Sequence, residues 1–241
     1  MTSPTLQPTA DAPSSGWHRA VVREVHRTTP RTVVLRLDVE GRVPHMPGQR
    51  YVVRLTAEDG YTASRSYSIA SSPADPLVEL CVERVDDGEV STHLFDVVER
   101  GDELELRGPL GGWFAWDGIT PALAIGGGTG VVPLISMLRH SRDIGHPELV
   151  CLIGAGRTLA ELPYAEELMT GCSGIALSRA AAPDGRAAGR IRADDLAGHV
   201  RGRGVFFVCG SARFAETASR LLVDLGVPTG RIRIERFGPS D

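Results

Sequence analysis

Apolar and polar positions follow two different rhythms along this chain. Through the first half they change over within short β-favouring runs: Trp17–Arg27, Thr32–Val39, Arg50–Ala57, Arg65–Ala70, Leu77–Val85 and Glu103–Arg107. Several runs alternate with period two, so that Val33, Leu35 and Leu37 share one face and Leu80, Val82 and Val85 are expected to point inward. Pro47-Gly48, Asp59-Gly60, Asp75-Pro76 and Asp87-Gly88 punctuate the runs with turn residues. Six such strands predict a small antiparallel barrel, with Val90–Val98 as its one helix.

Near Gly118 the pattern lengthens. Apolar strands at Ala122–Gly126, Leu149–Gly154, Gly174–Ser178 and Gly204–Cys209 alternate with helical segments at Val131–His140, Pro163–Met169, Ile191–His199 and Ala212–Leu225. The last helix gathers Phe214, Ala218, Leu221, Leu222 and Leu225 on one face, and Ile232 and Ile234 mark a final strand. Strand–helix alternation predicts a parallel sheet with right-handed crossovers. The fold class read from the pattern is therefore two-domain, β followed by α/β. A tail at 1–15 precedes a six-stranded antiparallel barrel at 16–117, and a parallel-sheet α/β domain spans 118–241.

Length agrees: 241 residues suffice for two domains of roughly 100–120 residues each. With 30 acidic and 26 basic residues, the net charge of −4 predicts no general attraction to nucleic acid or to anionic membrane. No apolar run reaches the length of a membrane span. Residues 1–15, rich in Pro, Ser, Thr and Ala, lack the basic and apolar regions of a secretory signal and are expected to be disordered. Cys81, Cys151, Cys172 and Cys209 are scattered, which predicts free thiols in a reducing cytoplasm rather than a disulfide framework, a zinc site or an iron–sulfur cluster. The seven histidines show no ligand-like spacing, and no metal is assigned.

Two segments carry candidate chemistry. Gly126-Gly127-Gly128-Thr129-Gly130 joins a strand to a helix, where glycines let backbone approach a phosphate and the helix N-terminus supplies amides and dipole. A tight turn without a ligand is the alternative. Arg65-Ser66-Tyr67-Ser68 lies on a barrel strand, with Arg65 and Tyr67 expected on one face and Ser66 and Ser68 on the other. An arginine fork suits phosphate and a tyrosine ring lies flat on an aromatic system.

From about Trp17 to Phe237 the chain resembles the ferredoxin–NADP(+) reductase superfamily. The flavin motif R-x-Y-[ST] matches Arg65–Ser68, and G-x-x-S-x-x-L matches Gly88, Ser91 and Leu94. Gly101, Asp102, Leu104, Gly108, Pro109, Gly111 or Gly112, and Phe114 resemble a further family segment. The pyridine-nucleotide loop matches Gly127 to Pro133, the C-G pair matches Cys209-Gly210, and E-x-F matches Glu235-Arg236-Phe237. The resemblance implies an FAD-binding barrel and an NAD(P)-binding α/β domain. Arg65 and Ser66 would hold the flavin, with Tyr67 against its ring and Ser68 near its N5. Gly88, Val90 and Ser91 would close over the diphosphate, and these two anchors favour FAD over FMN. Gly128, Thr129, Gly130 and Gly210 would receive the nicotinamide nucleotide. Cys209 would lie beside the nicotinamide, Glu235 near the reacting rings and Phe237 along the flavin. For these three, a buried structural thiol, a surface carboxylate and a core anchor remain alternatives. Ser178 and Arg179, with Arg157 and Arg190, would favour NADPH over NADH. The family's frequent Cys-Gly-Pro is here Cys209-Gly210-Ser211, whose serine could cap the next helix.

The implied activity is hydride transfer from NAD(P)H to FAD, with Ser68, Cys209 and Glu235 as the catalytic candidates. Electrons would then pass to a separate acceptor, a ferredoxin serving an oxygenase or cytochrome P450. A reductase of free flavin, quinone or another small molecule, a nucleotide-binding redox sensor and a subunit of a larger complex are the competing readings.

Overall fold

The computed structural model describes residues 16–238, so the expected tail at 1–15 and the final residues 239–241 lie outside it. The first six strands are β1 (His18–Thr29), β2 (Thr32–Val39), β3 (Arg50–Thr56), β4 (Thr62–Ser68), β5 (Val78–Glu83) and β6 (Glu103–Leu110). All their pairings are antiparallel, in the order β4-β3-β6-β1-β2-β5, and a bridge from Ile69 to Leu80 brings the exit of β4 onto β5. Val33, Leu35 and Leu37 are fully buried on one face, as the alternation predicts. Leu80 and Val82 also point inward. Val85, 55% exposed, does not: a period of two continues from 82 to 84, so 85 falls on the opposite side. Helix α1 (Glu89–Asp96) seals the barrel with Val90 and Leu94.

The second sheet is parallel throughout, β11-β10-β7-β8-β9, built from β7 (Ala122–Gly127), β8 (Val150–Gly156), β9 (Ser173–Leu177), β10 (Val205–Ser211) and β11 (Ile232–Phe237). Helix α2 (Val132–Asp143) follows β7, and α5 (Ala212–Asp224) follows β10 with the Ser211 hydroxyl accepting from the Phe214 amide. The two intermediate helices are shorter than their apolar pattern predicts. Helix α3 is Ala165–Leu168, entered through Tyr164 at φ 59°, and α4 is Asp194–Ala197. Before α4 the chain is held irregular by the Asp195 carboxylate, which accepts from the Arg192 amide and both arms of Arg186. Among the described residues no helix is long and apolar enough to cross a membrane.

A buried charge cluster ties the two sheets together. Arg139 on α2 donates to Glu79 on β5 at 2.8 Å and to the Ala70 carbonyl at 3.1 Å, while its other arms hold Glu167 of α3 at 2.6 and 3.0 Å. Tyr164 donates to the same Glu79 at 2.9 Å, and Ser136 to the Ser71 carbonyl at 2.7 Å. Burial opposes the charge on Arg139, but its bonds to Glu167 and Glu79 outweigh that and hold it protonated. Such a cluster fixes the mutual orientation of the domains because each misalignment strands a desolvated charge.

His45, 3% exposed, sits in the same region. Its Nε2 lies 3.0 Å from the Ser71 carbonyl and its Nδ1 3.3 Å from the Arg42 guanidinium, so the neutral Nε2–H tautomer satisfies both partners. Burial first, with Arg42 adding to it, pushes the ring down to about 4 from its ordinary 6.5. An unfolded chain therefore binds a proton near pH 6.5 that the folded chain refuses until about pH 4. The contribution is complete above 6.5 and is lost as pH falls toward 4, a decline of about 3 kcal/mol. Denaturant melts at pH 7 and pH 4.5 should show this loss, and His45→Asn should flatten it.

The cysteines depart from expectation. Cys151 on β8 and Cys172 at the entry to β9 form a disulfide, with Cα atoms 4.9 Å apart, while Cys81 and Cys209 are free and buried. Separation along the sequence hid the pair, since adjacent parallel strands bring residues 21 apart into contact. His199 joins them: the three side chains place possible ligand atoms within 4.8 Å of one another, the one such group among the described residues.

Candidate active site

The α/β sheet reverses its strand order between β7 and β10, and the carboxyl ends of such neighbours open a crevice where ligands bind. Gly126–Gly130 leaves β7 there and turns through a 3-10 segment, Gly128–Val131, into α2. Its glycines have different reasons for being small. A Cβ on Gly126 would meet Val131 at 2.7 Å, on Gly127 the Phe214 ring at 2.6 Å, and on Gly130 the Cys209 carbonyl oxygen at 2.3 Å. Only Gly128, at φ +57° with nothing within 4 Å, faces open space. The loop's glycines thus mostly let the chain pack on itself, and that packing presents Gly128 and Thr129 to the crevice.

Opposite stands the β4 edge of the barrel. Ser66, Tyr67 and Ser68 all border the crevice, with Ser66 exposed and Ser68 buried. The Tyr67 ring rests on the barrel core, its pKa raised by burial, and its hydroxyl is buried without a hydrogen-bond partner. Burying a hydroxyl unpaired costs about 1–3 kcal/mol, so this atom is poised for a partner that enters the crevice. Thr129 reaches across and donates to Glu83 of β5 at 2.8 Å. Together the two domains enclose a cleft of about 1020 Å³.

Ser66, Tyr67, Ser68, Gly128, Thr129, Arg157, Ser178, Arg190, Gly210 and Phe237 are brought together along this cleft. Arg157 and Ser178 leave the ends of β8 and β9, where the Ser178 and Arg179 amides bond the Gly156 and Arg157 carbonyls. The remaining candidates stand outside its lining. Exposed Arg65 donates to the Ser64 carbonyl, and Arg179 is likewise exposed. Gly88 begins α1, and Ser91 donates back to its carbonyl at 3.2 Å while accepting from the Val85 amide, so its hydroxyl closes its own turn. Val90 is buried in the barrel core. Gly130 lies beneath the loop, packed on β10.

Cys209, also outside the lining, is fully buried at the end of β10. Burial, then the Glu235 charge, push its thiol well above its ordinary range. Glu235 is itself largely buried, its pKa raised by burial and opposed by Arg50, whose guanidinium is 3.6 Å away. Glu235 is therefore not a surface carboxylate, and Phe237 serves both as a packing group and as part of the cleft wall. Sequence reasoning missed Arg31 in the β1–β2 turn, Glu83, and Arg213 and Phe214 in the first turn of α5, all lining the cleft. Only Arg213 had a visible signal, lying two residues past Ser211 at a helix start.

Residues 19–114 match the model of the oxidoreductase FAD-binding domain. The chain is 33% identical over 161 residues to the reductase component of propane 2-monooxygenase from Mycolicibacterium goodii, covering 65% of this chain and 45% of that protein. It is 28% identical over 219 residues to the ferredoxin–NAD(P)(+) reductase component of the naphthalene 1,2-dioxygenase/salicylate 5-hydroxylase systems of a Ralstonia species, covering 86% of this chain and 64% of that one. A cytochrome P450 reductase from Amycolatopsis superposes with a TM-score of 0.78 at 28% identity, over 96% of this chain and 74% of its own. This chain spans about half to two thirds of the length of these curated relatives. The antiparallel barrel, the parallel sheet and these matches agree: residues 19–114 match the oxidoreductase FAD-binding domain, and the chain as a whole has the two-domain fold of ferredoxin–NADP(+) reductase-like proteins.

Proposed function

We propose that this chain is an NAD(P)H-dependent FAD reductase that feeds electrons to a separate protein acceptor. One observation carries the reading: a single cleft joins the β4 edge, with its unpartnered Tyr67 hydroxyl, to the open Gly128–Thr129 loop of the other domain. FAD fits this wall. Tyr67 and Ser68 would hold it against the barrel, Arg65 and the Gly88–Ser91 turn would serve its diphosphate, and Phe237 would border its ring. When bound, FAD supplies a two-electron acceptor that can release electrons singly. The protein's part is to position the nicotinamide opposite it and exclude water. Gly128, Thr129 and Gly210 support the nucleotide, and buried Cys209 and Glu235 pack behind the wall as its positioning groups. On this reading Ser68, which borders the cleft, would touch the reacting rings.

The nucleotide is NADPH on this reading, because Arg157, Ser178 and Arg190 line the cleft, where they would meet a 2′-phosphate. The acceptor is a ferredoxin serving an oxygenase or cytochrome P450. Similarity to reductase components supports an external acceptor. The test is a visible spectrum of the purified chain, with FAD added, before and after NADPH or NADH without oxygen. Bleaching by NADPH in preference to NADH is expected, and a protein that takes up no FAD would end the proposal. Arg157→Ala with Arg190→Ala should raise the KM for NADPH about 10- to 100-fold, as loss of two charge-assisted bonds implies, and leave that for NADH nearly unchanged. Steady-state rates with ferredoxin, free flavin and quinone distinguish the acceptor classes.

A further inference from the structure

The Cys151–Cys172 disulfide lies at the opposite end of the β8–β9 pair from the cleft, and its surroundings are chemically uneven. Cys151 is fully buried, whereas Cys172 is the more solvent-accessible of the two. His199 Nδ1 stands 3.3 Å from the Cys151 sulfur and 3.6 Å from that of Cys172. Arg203 places Nη2 3.7 Å from Cys172, and its Nη1 is held by the carbonyls of Glu148 and Leu149 at 2.9 and 3.1 Å. A bond that served only as a staple would need neither group. One sulfur is on the solvent side, the other is buried with an imidazole nitrogen beside it, and a fixed cation stands by the exposed one. These are the elements that thiol–disulfide exchange requires.

We propose that Cys151–Cys172 is an exchange-active disulfide, opened and closed in the folded protein by an external dithiol–disulfide couple. In the forward direction one thiolate of the dithiol attacks Cys172 Sγ. The bond between the two cysteines breaks, its electron pair leaves on Cys151, and His199 in its imidazolium form delivers its Nδ1 proton there and ends as the neutral ring. The second thiol of the reductant gives its proton to solvent and, as thiolate, attacks the reductant's other sulfur in the mixed disulfide and closes a cyclic disulfide. Cys172 is released as a thiolate beside Arg203. Two electrons pass from the dithiol to the protein, whose bond becomes two reduced sulfurs, and the reverse sequence restores it. The bond closes the segment 152–171, which carries Tyr164 and Glu167 of the interdomain cluster. Opening therefore loosens the part of the α/β domain that grips the barrel.

The experiment uses the full chain with FAD added, incubated with dithiothreitol without denaturant and quenched with iodoacetamide, the modified cysteines being mapped by mass spectrometry. Cys151 and Cys172 should be alkylated together while Cys81 and Cys209 remain unmodified, and oxidised dithiothreitol should reverse the change. Hydrogen exchange should rise across 157–171 on reduction. His199→Gln and Arg203→Ala should each slow opening about three- to tenfold, as expected when a neighbouring charge moves a thiol pKa by about one to two units. Arg203→Lys should restore the rate, and thermal midpoints of the oxidised variants read whether the fold is intact. Alkylation only after unfolding would show a purely structural bond and overturn the proposal. So would sulfurs that purify reduced around a stoichiometric zinc ion, or rates unaffected in both variants.

Discussion

Replacing Arg139 with alanine is expected to lower the unfolding free energy by about 3–5 kcal/mol, the range for breaking one partner of a buried ion pair. The carboxylate of Glu79 is 5% exposed and takes bonds from Arg139 and Tyr164, with Arg36 3.4 Å from its other oxygen. Removing Arg139 strips it of its best-aligned cation and also frees Glu167 and the Ala70 carbonyl. Urea melts should show the loss. Arg139→Ala combined with Glu79→Gln should regain part of it, because the second change removes the stranded charge. Equal melts for wild type and Arg139→Ala would refute this account of the interdomain cluster. A functional effect should accompany the loss, since the cluster sets the barrel edge against the glycine loop. Flavin reduction by NADPH should slow even with FAD fully bound.

The second large effect is expected at Gly130. An alanine methyl there would stand 2.3 Å from the Cys209 carbonyl oxygen and 2.7 Å from the Gly210 Cα, so backbone must move rather than a side chain rotate. Overpacking of this kind costs about 1–3 kcal/mol. More telling is where the strain falls: Gly210 and the loop are both cleft-forming segments. Gly130→Ala should therefore weaken NADPH binding at least about tenfold, the equivalent of 1.4 kcal/mol at the site, while the barrel still takes up FAD. Gly128→Ala meets no atoms and carries only the cost of a left-handed backbone, about 1–2 kcal/mol. Nucleotide titrations of the two variants, followed at the flavin spectrum, order the glycines. A milder effect at Gly130 than at Gly128 would contradict the packing argument.

Much of the architecture was legible because it depends on short-range periodicity. The burial of Val33, Leu35 and Leu37, the helix after the glycine loop and the Ser211 cap follow from neighbours a few residues away. Legibility failed where a count slipped or context overrode pattern. Val85 lies off the period set by Leu80 and Val82, and the helical segment expected at Ile191–His199 keeps only Asp194–Ala197 helical because Asp195 binds the loop before it. In the candidate site, the two sequence segments first singled out do line one cleft, but the reason for three of the four loop glycines lies in Phe214, Cys209 and Val131. Those contacts carry no signature in the loop itself.

The sequence by itself determined the order of strands and helices, the change from antiparallel to parallel construction, and the placing of a glycine loop between β7 and α2. Each of these is a local consequence of side-chain spacing and turn chemistry. Only the tertiary structure decided which distant residues meet: Cys151 with Cys172 and His199, Arg139 with Glu79 and Glu167, Thr129 with Glu83. Such pairings depend on sheet order and domain docking, which arise when two apolar faces are buried together, and chain spacing alone does not encode them.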